Sequence, residues 1–417
     1  MLAAVQQTAM GLFAGFKAYV TSSFPSCVRP NNDIGCESGV VLDVMCALHA
    51  FKPTEDEEAP AQRLADALWF SVFDADSVAF CFDVSENTPL AKAICWQSRA
   101  EPEVAVSAAD IEQGLLFDLL PNYDAIISSR GARAALCLYL QRELTVRFRK
   151  CNEMPVRRAY FFGSDVVPVC VSWSDEVDDF DAEDGTPVGH EVVCTERPDL
   201  HKPMHGEADI SCVFAAHVLR KECGAKVVEV RSVDTDIVMI ASLHAFEGLR
   251  VQLAHFDRKQ GAFVKVTFDI AELARCVTRQ YRVSVLEWAL LCITRGTDYA
   301  SRSMSGVPDW AKYMDLLCPL ARGKGCVTAD AASVRVDTCA LHGTIVSATA
   351  KTKRSKLLYK PNDGHLARCA WQLVYSLHAV FDNGPVPDCR CLGWMQTPEG
   401  IVQHASLPHS TVVLNTV

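Results

Sequence analysis

Residues 40–51, VVLDVMCALHAF, end an apolar run on one acid and then change periodicity. Val40–Val44 predicts a strand, and the spacing through His49 and Phe51 predicts a helix directly after it. A carboxylate beside so much Val, Leu, Met and Cys is costly unless something pairs with it. Taken alone, Asp43 would be a turn or cap residue. Four further stretches repeat the arrangement: Asp83 in VAFCFDVSENTPLAK, Glu207 and Asp209 in HGEADIS, Asp234 and Asp236 in VRSVDTDIVMIA, and Asp298 in ITRGTDYA. Chance is a poor explanation for five such clusters.

Between the acids the pattern alternates. Ala61–Phe73 predicts an amphipathic helix, Val78–Asp83 a second strand, Ile210–Leu219 a helix, Val227–Val230 a third strand. Asp234–Leu243 forms a fourth apolar segment, and Val285–Ile293 predicts a helix ending at Gly296. Strands alternating with helices predict an α/β fold with a central, mostly parallel twisted sheet flanked by helices. Ligands of such sheets bind outside the carboxyl ends of the strands, which is where Asp43 and Asp83 fall. No internal repeat is present.

Oxygen-rich acid clusters suit hard cations such as Mg²⁺ or Mn²⁺, which also neutralise the charge that burial penalises. Two such ions roughly 3.5–4 Å apart can activate a water and stabilise the leaving oxygen of a phosphodiester. Holding both needs acids from several elements. Asp43, Glu207, Asp209, Asp234, Asp236 and Asp298 are the expected metal residues, with Asp83 in the same pool. Glu207 and Asp209 are two apart, as are Asp234 and Asp236. On a strand that spacing puts both side chains on one face, and at a helix entry it lets them reach free backbone N–H groups.

In order, these stretches resemble the flap endonuclease/XPG-type structure-specific nucleases, a branch of the PIN-like nucleases. MGLFAGFKAYV, residues 10–20, is similar to the amino-terminal Met-Gly segment of that family, and VVLDVMCALHAF to its first Asp-bearing strand. FCFDVSENTPLAKAICWQSR is similar to the Phe-Asp strand with its Lys and Arg. HGEADIS resembles the Glu-x-Glu helix start with Asp replacing the second Glu, SVDTDIVMIA the Asp-x-Asp strand, and RGTDY the Gly-x-Asp-Tyr motif. The resemblance runs from about residue 10 to residue 299. It implies a PIN-like nuclease core in two parts, residues 10–100 and 206–300. Residues 101–205 would stand as an insertion where the family has its arch or gateway, and residues 301–417 as a C-terminal region with degenerate DNA-binding helices and a basic segment. It also implies two Mg²⁺ or Mn²⁺ ions, and catalytic roles for Asp43 and Asp83. Lys92 and Arg99, seven residues apart and so on one face of a helix, would steer and polarise the scissile phosphate. Their plain alternative is two surface cations.

The formal charge of −11 over 417 residues looks wrong for a nucleic-acid binder. Much of it is local, in DEVDDFDAED at 175–184 and in the acid clusters themselves. Basic residues gather in two stretches: Arg142, Arg147, Arg149, Lys150, Arg157 and Arg158 in one, and Lys351, Lys353, Arg354, Lys356 and Lys360 in the other. Such stretches can neutralise phosphates even in an acidic chain, or can be solvated faces. Lys353, Arg354, Lys356 and Lys360 are the nucleic-acid-binding residues expected here.

Hydrophobic content of 49% and charged content of 22% are those of a globular protein. No apolar run reaches 18 residues, so no membrane partner is expected. Nineteen cysteines, many inside apolar runs, fit buried reduced thiols and a nuclear or cytoplasmic setting rather than a secreted disulfide framework. Residues 1–32 carry two bases and no acid before Asp33. They fit a family-like first helix better than a mitochondrial transit peptide. Motifs for α/β-hydrolases, P-loop NTPases and zincins are missing from the sequence. Cys194, His201 and His205, or Cys389 and Cys391, make no convincing four-ligand zinc pattern.

After Tyr299 the sequence SRSMSGVPDWAKYMDLL lacks the Gly-x-Gly pattern of the family's helix–two-turn–helix, and no sliding-clamp box appears near the C-terminus. The chain is expected to be a monomeric nuclease on DNA flaps or nicks in replication, repair or recombination. Two alternatives stay open: an endoribonuclease of the host-shutoff type acting on mRNA, and a non-catalytic PIN-like scaffold that binds nucleic acid.

Overall fold

The computed structural model describes residues 15–30, 37–50, 60–72, 75–82, 109, 127, 129–150, 156–163, 167–173, 192–202, 208–257, 262–296, 309–329, 333–351, 363–381, 394–397, 400–403 and 411–415. Its centre is a nine-stranded sheet of β1 (Val28–Arg29), β2 (Ser38–Asp43), β3 (Ser77–Cys81), β4 (Arg158–Phe162), β5 (Val169–Trp173), β6 (Val192–Glu196), β7 (Val227–Ser232), β8 (Leu249–Asp257) and β9 (Ala262–Asp269). The spatial order is β1-β9-β8-β7-β2-β3-β4-β5-β6. Pairing is parallel from β8 through β7, β2 and β3 to β4. It turns antiparallel at both margins, through β9 and β1 on one side and β5 and β6 on the other. The α/β class and the parallel centre expected from the sequence are both present.

The central strands are buried on both faces, so their residues alternate between two cores rather than between core and water. Val41, Ala79, Cys81, Tyr160, Val228 and Val230 face one core, with the helix Ala208–Glu222 and the helices of the C-terminal half. Val40, Leu42, Val78, Phe80 and Phe161 face the other, under the helices Val44–Ala50, Pro60–Phe70 and Arg130–Lys150. The last helix was not read from the sequence, although Leu136, Leu140, Leu144 and Phe148 recur four apart on its buried side. The interval 101–205 thus supplies β4, β5 and β6 to the sheet itself. Its acidic stretch 175–184 lies outside the described residues.

Two readings of the sequence need correction. Val44 does not end a strand but opens the helix Val44–Ala50. The apolar segment after Asp234 is a helix, Asp236–Leu243, and not a strand. A short, wholly apolar run carries no periodicity to decide between the two. What decides is the turn before it, where the Asp234 carboxylate accepts the Asp236 N–H at 2.9 Å and satisfies a donor of the first helical turn. The helix Val285–Thr294 is capped by a reciprocal pair, Ser284 and Glu287.

Residues 15–23 form a helix whose Phe16, Tyr19 and Val20 pack into the first core. The Tyr19 hydroxyl donates to that of Tyr281 and accepts from the Trp288 indole. A three-stranded sheet of Val327–Ala329, Ser333–Asp337 and Thr411–Asn415 and the helices Thr338–Lys351 and Asp363–His378 complete the C-terminal half. No helix among the described residues is long and apolar enough to cross a membrane.

The helix Asp363–His378 is tied to the centre by histidines. His244, just after the helix Asp236–Leu243, meets the Ser376 carbonyl through Nε2 at 2.9 Å, and His217 Nε2 meets the His244 carbonyl at 3.1 Å. Both rings pack on Phe381. Burial above all, with His217 nearby, holds His244 down at about 4. Its folded value therefore lies below its unfolded one. Its contribution is complete above about pH 6.5 and is lost as pH falls from there toward 4, a loss of up to about 3 kcal/mol. In denaturant melts at pH 7 and pH 4.5 the wild type should lose more stability than His244→Gln. Equal losses would show that this histidine is not the group responsible.

Candidate active site at the carboxyl edge of the sheet

β2 ends on Asp43, register-paired with Cys81 at the end of β3, and β7 ends one residue past the Leu42–Arg231 pair. The helix Ala208–Glu222 runs back under the sheet to β7, so its first turn, carrying Asp209, lies at the same edge. Asp234 and Asp236 lie in the turn and first helical residue that follow β7. Right-handed parallel connections bring these ends to one side of a sheet whatever their separation in sequence.

Asp43 is buried, with 3% of its surface exposed. Its Oδ2 accepts from the Cys46 thiol at 2.7 Å and from the Ser232 hydroxyl at 3.0 Å, and its Oδ1 from the Cys46 N–H at 3.3 Å. The same two side chains accept in turn from the next loop. Val233 N–H donates to Cys46 Sγ at 3.0 Å and Asp234 N–H to Ser232 Oγ at 3.0 Å. Two acid clusters far apart in sequence are thus joined through one thiol and one hydroxyl. Burial first, and then the Asp43 carboxylate, pushes the Cys46 thiol well up, so it remains a donor.

The other acids leave traces on neighbouring thiols. Cys212, in the helix Ala208–Glu222, is pushed well up by burial, by contact with Cys81, and by the charges of Asp43 and Asp209. Cys292 is pushed up by burial, then Cys318 and Asp236, while Arg295 acts the other way. Asp43 and Asp209 therefore share one neighbourhood, and Asp236 adjoins the end of the helix Val285–Thr294. Arg295, buried after that helix, lies over the rings of Trp310 and Tyr313, with centroids 4.6 and 5.1 Å away. The sequence reading missed Cys46, Ser232 and Arg295. Only Arg295 left a signal, an arginine directly before the Gly-Thr-Asp motif.

Asp83, Lys92, Arg99, Glu207, Asp298, Lys353, Arg354, Lys356 and Lys360 lie outside the described residues, as do His205, Cys389 and Cys391. Of the first basic stretch, Arg147 is committed to Asp66 and Glu143, and Arg158 donates to the Glu222 carbonyl. Those two are structural rather than free phosphate ligands. Among the described residues, no three His, Cys, Asp or Glu side chains stand together as one metal-holding group. The donor chemistry of the edge still fits a hard divalent ion, because Asp43, Asp209, Asp234 and Asp236 all offer carboxylate oxygens. No disulfide joins the described cysteines.

No protein-family model and no curated protein matches the chain. Among solved structures it is similar to the catalytic core of Rad2 in complex with DNA substrate, at 13% identity and a TM-score of 0.36, over 80% of this chain and 75% of that one. A second complex of the Rad2 core with DNA substrate gives 12% and 0.35, over 72% and 67%. A bacteriophage T5 flap endonuclease, in a pseudo-enzyme–product complex with DNA and metal ions, gives 10% and 0.30, over 68% and 75%. At these values the likeness is a distant one.

Ser232 is the joint of the described edge. Ser232→Ala would leave Asp43 without one donor and the Asp234 N–H without its acceptor. A loss of about 1–3 kcal/mol in urea unfolding is expected. A change within a few tenths of a kcal/mol would mean that the two bonds carry no net stability.

Proposed function

We propose that this chain is a divalent-metal-dependent nuclease of the flap endonuclease type, acting on DNA flaps or nicks with two Mg²⁺ or Mn²⁺ ions. One observation carries the reading: Asp43 and the 232–236 turn, from strands far apart in sequence, meet through shared hydrogen bonds at the carboxyl edge of a parallel sheet, with Asp209 in the first turn of the helix packed on β2 and β7. A buried carboxylate with three donors aimed at it is oriented before any ligand arrives, and preorganisation of this kind is what catalytic geometry requires.

In the proposed site, bound ions supply water activation and stabilise the leaving oxygen. Asp43, Asp83, Glu207, Asp209, Asp234, Asp236 and Asp298 hold them, directly or through water. Lys92 and Arg99 orient the scissile phosphate. Lys353, Arg354, Lys356 and Lys360 contribute phosphate contacts and therefore affinity. Incubating the protein with labelled 5′-flap DNA, nicked duplex and capped mRNA, each with Mg²⁺ or Mn²⁺, tests the substrate. Flap or nick cleavage is expected. Cleavage of the mRNA alone would move the protein to the host-shutoff type of endoribonuclease, and binding without cleavage would make it a scaffold.

Asp234→Asn keeps an Oδ1 to accept the Asp236 N–H while removing a charge. Cleavage should fall to background, with filter binding of DNA retained and the melting temperature unchanged or slightly raised, since neighbouring acids repel one another. Full activity in this variant would sink the two-metal assignment.

Changing Lys353, Arg354 and Lys356 together to Ala should weaken DNA binding and flatten its salt dependence by roughly one unit of slope per lost phosphate contact. Turnover at saturating DNA should survive. An unchanged salt slope would remove the segment from the binding surface.

A further inference from the structure

Cys46 has no role in the chemistry above, and a cysteine in an apolar run is ordinarily a small hydrophobe. Its surroundings are not those of a hydrophobe. Cys46 Sγ donates to Asp43 Oδ2 at 2.7 Å and accepts from the Val233 N–H at 3.0 Å. Ser232 repeats that pattern, donating to Asp43 Oδ2 at 3.0 Å and accepting from the Asp234 N–H at 3.0 Å. With both hydrogens aimed at Oδ2, the 3.2 Å approach of Sγ to the Ser232 oxygen is packing of two adaptors side by side.

We propose that Cys46 is a positioning residue for Asp43, one of two parallel ties that fix the Asp43 carboxylate against the 232–236 turn and so set the spacing of two acid clusters that take up divalent metal. The inference rests on the metal reading under Proposed function. One rung of the pair is a hydroxyl of the common kind. The other is a thiol, larger and softer, reaching from the first turn of the helix Val44–Ala50. Removing the Cys46 side chain takes one donor from Oδ2 and the acceptor from the Val233 N–H, so the turn is held less tightly to Asp43. Loss of a hydrogen-bond partner of a metal-ligating group typically weakens metal affinity 10- to 100-fold.

The test is isothermal titration of Mn²⁺ into the full chain, well below its melting temperature, alongside the Mn²⁺ concentration that half-saturates cleavage. Cys46→Ala removes both functions, Cys46→Val removes them while filling the volume, and Cys46→Ser restores a donor and an acceptor. The expected result is Mn²⁺ binding about tenfold weaker in the Ala and Val variants, a matching rise in half-saturating Mn²⁺, and recovery of most of the loss in Cys46→Ser. A purely structural cysteine would lower the melting temperature and leave Mn²⁺ affinity unmoved. Wild-type affinity in a folded Ala or Val variant, or no recovery in Ser, overturns the proposal. Should neither Ala nor Val fold, Cys46→Ser decides: affinity within a few-fold of wild type supports it, and a tenfold loss overturns it. Asp43→Asn is the reference. A wild type that takes up no Mn²⁺ overturns the metal reading and this inference with it, whereas a wild type and Cys46→Ala that bind equally overturn this inference alone.

Discussion

A carboxylate buried at the end of a central strand is the constraint on which the rest of the described edge depends. Asp43 is 3% exposed and lies where β2 gives way to a helix. Such a group is tolerable only if hydrogen bonds replace the water it has lost. Three donors do so, and two of them belong to side chains that also accept from the loop after β7. Satisfying one buried charge thereby fixes the relative position of two strand ends and the start of the helix Asp236–Leu243. The sheet supplies the coarse register, and the carboxylate's need for donors supplies the fine one.

The two cores explain how such an edge stays rigid. Parallel strands buried on both faces leave no solvent side toward which they can relax. The helices Val44–Ala50, Pro60–Phe70 and Arg130–Lys150 cover one face, and the helix of residues 15–23 together with helices from the second half of the chain covers the other. The antiparallel margins β1–β9 and β5–β6 extend the sheet away from the acids. The edge carrying Asp43, Asp209 and the 234–236 pair thus lies over the most constrained part of the molecule. Chemistry that needs sub-ångström placement is best served there.

The sequence was legible where a single physical signal dominated. β2, β3 and β7 are apolar runs between breakers, and the helices Pro60–Phe70, Ala208–Glu222 and Val285–Thr294 keep helical spacing. The segment Asp236–Leu243 was misread because eight mostly apolar residues fit helix and strand alike. The helix Arg130–Lys150 went unread because arginines lie between its buried leucines, in a stretch that looked like an interruption. Asp43, Asp209, Asp234 and Asp236 were legible as costly charges in apolar settings. Cys46 and Ser232 were not. A cysteine and a serine look ordinary until strand register sets one across from the other, and register between β2 and β7 is a property of the whole sheet.

The tie between Ser232 and Asp43 spans 189 residues of chain. On a ribosome working at about 5–20 residues per second, β2 waits on the order of ten to forty seconds for β7 to be made. During that interval one long edge of β2 has no partner and its buried acid has only local donors. Parallel pairing across so wide a gap closes late, because loop entropy must be overcome before any contact rewards it. The nascent first half is thus the stage most in need of a chaperone. The acid that anchors the finished edge also makes β2, until β7 arrives, a poor strand for another chain to capture, since a charge at a strand end disfavours edge-to-edge pairing.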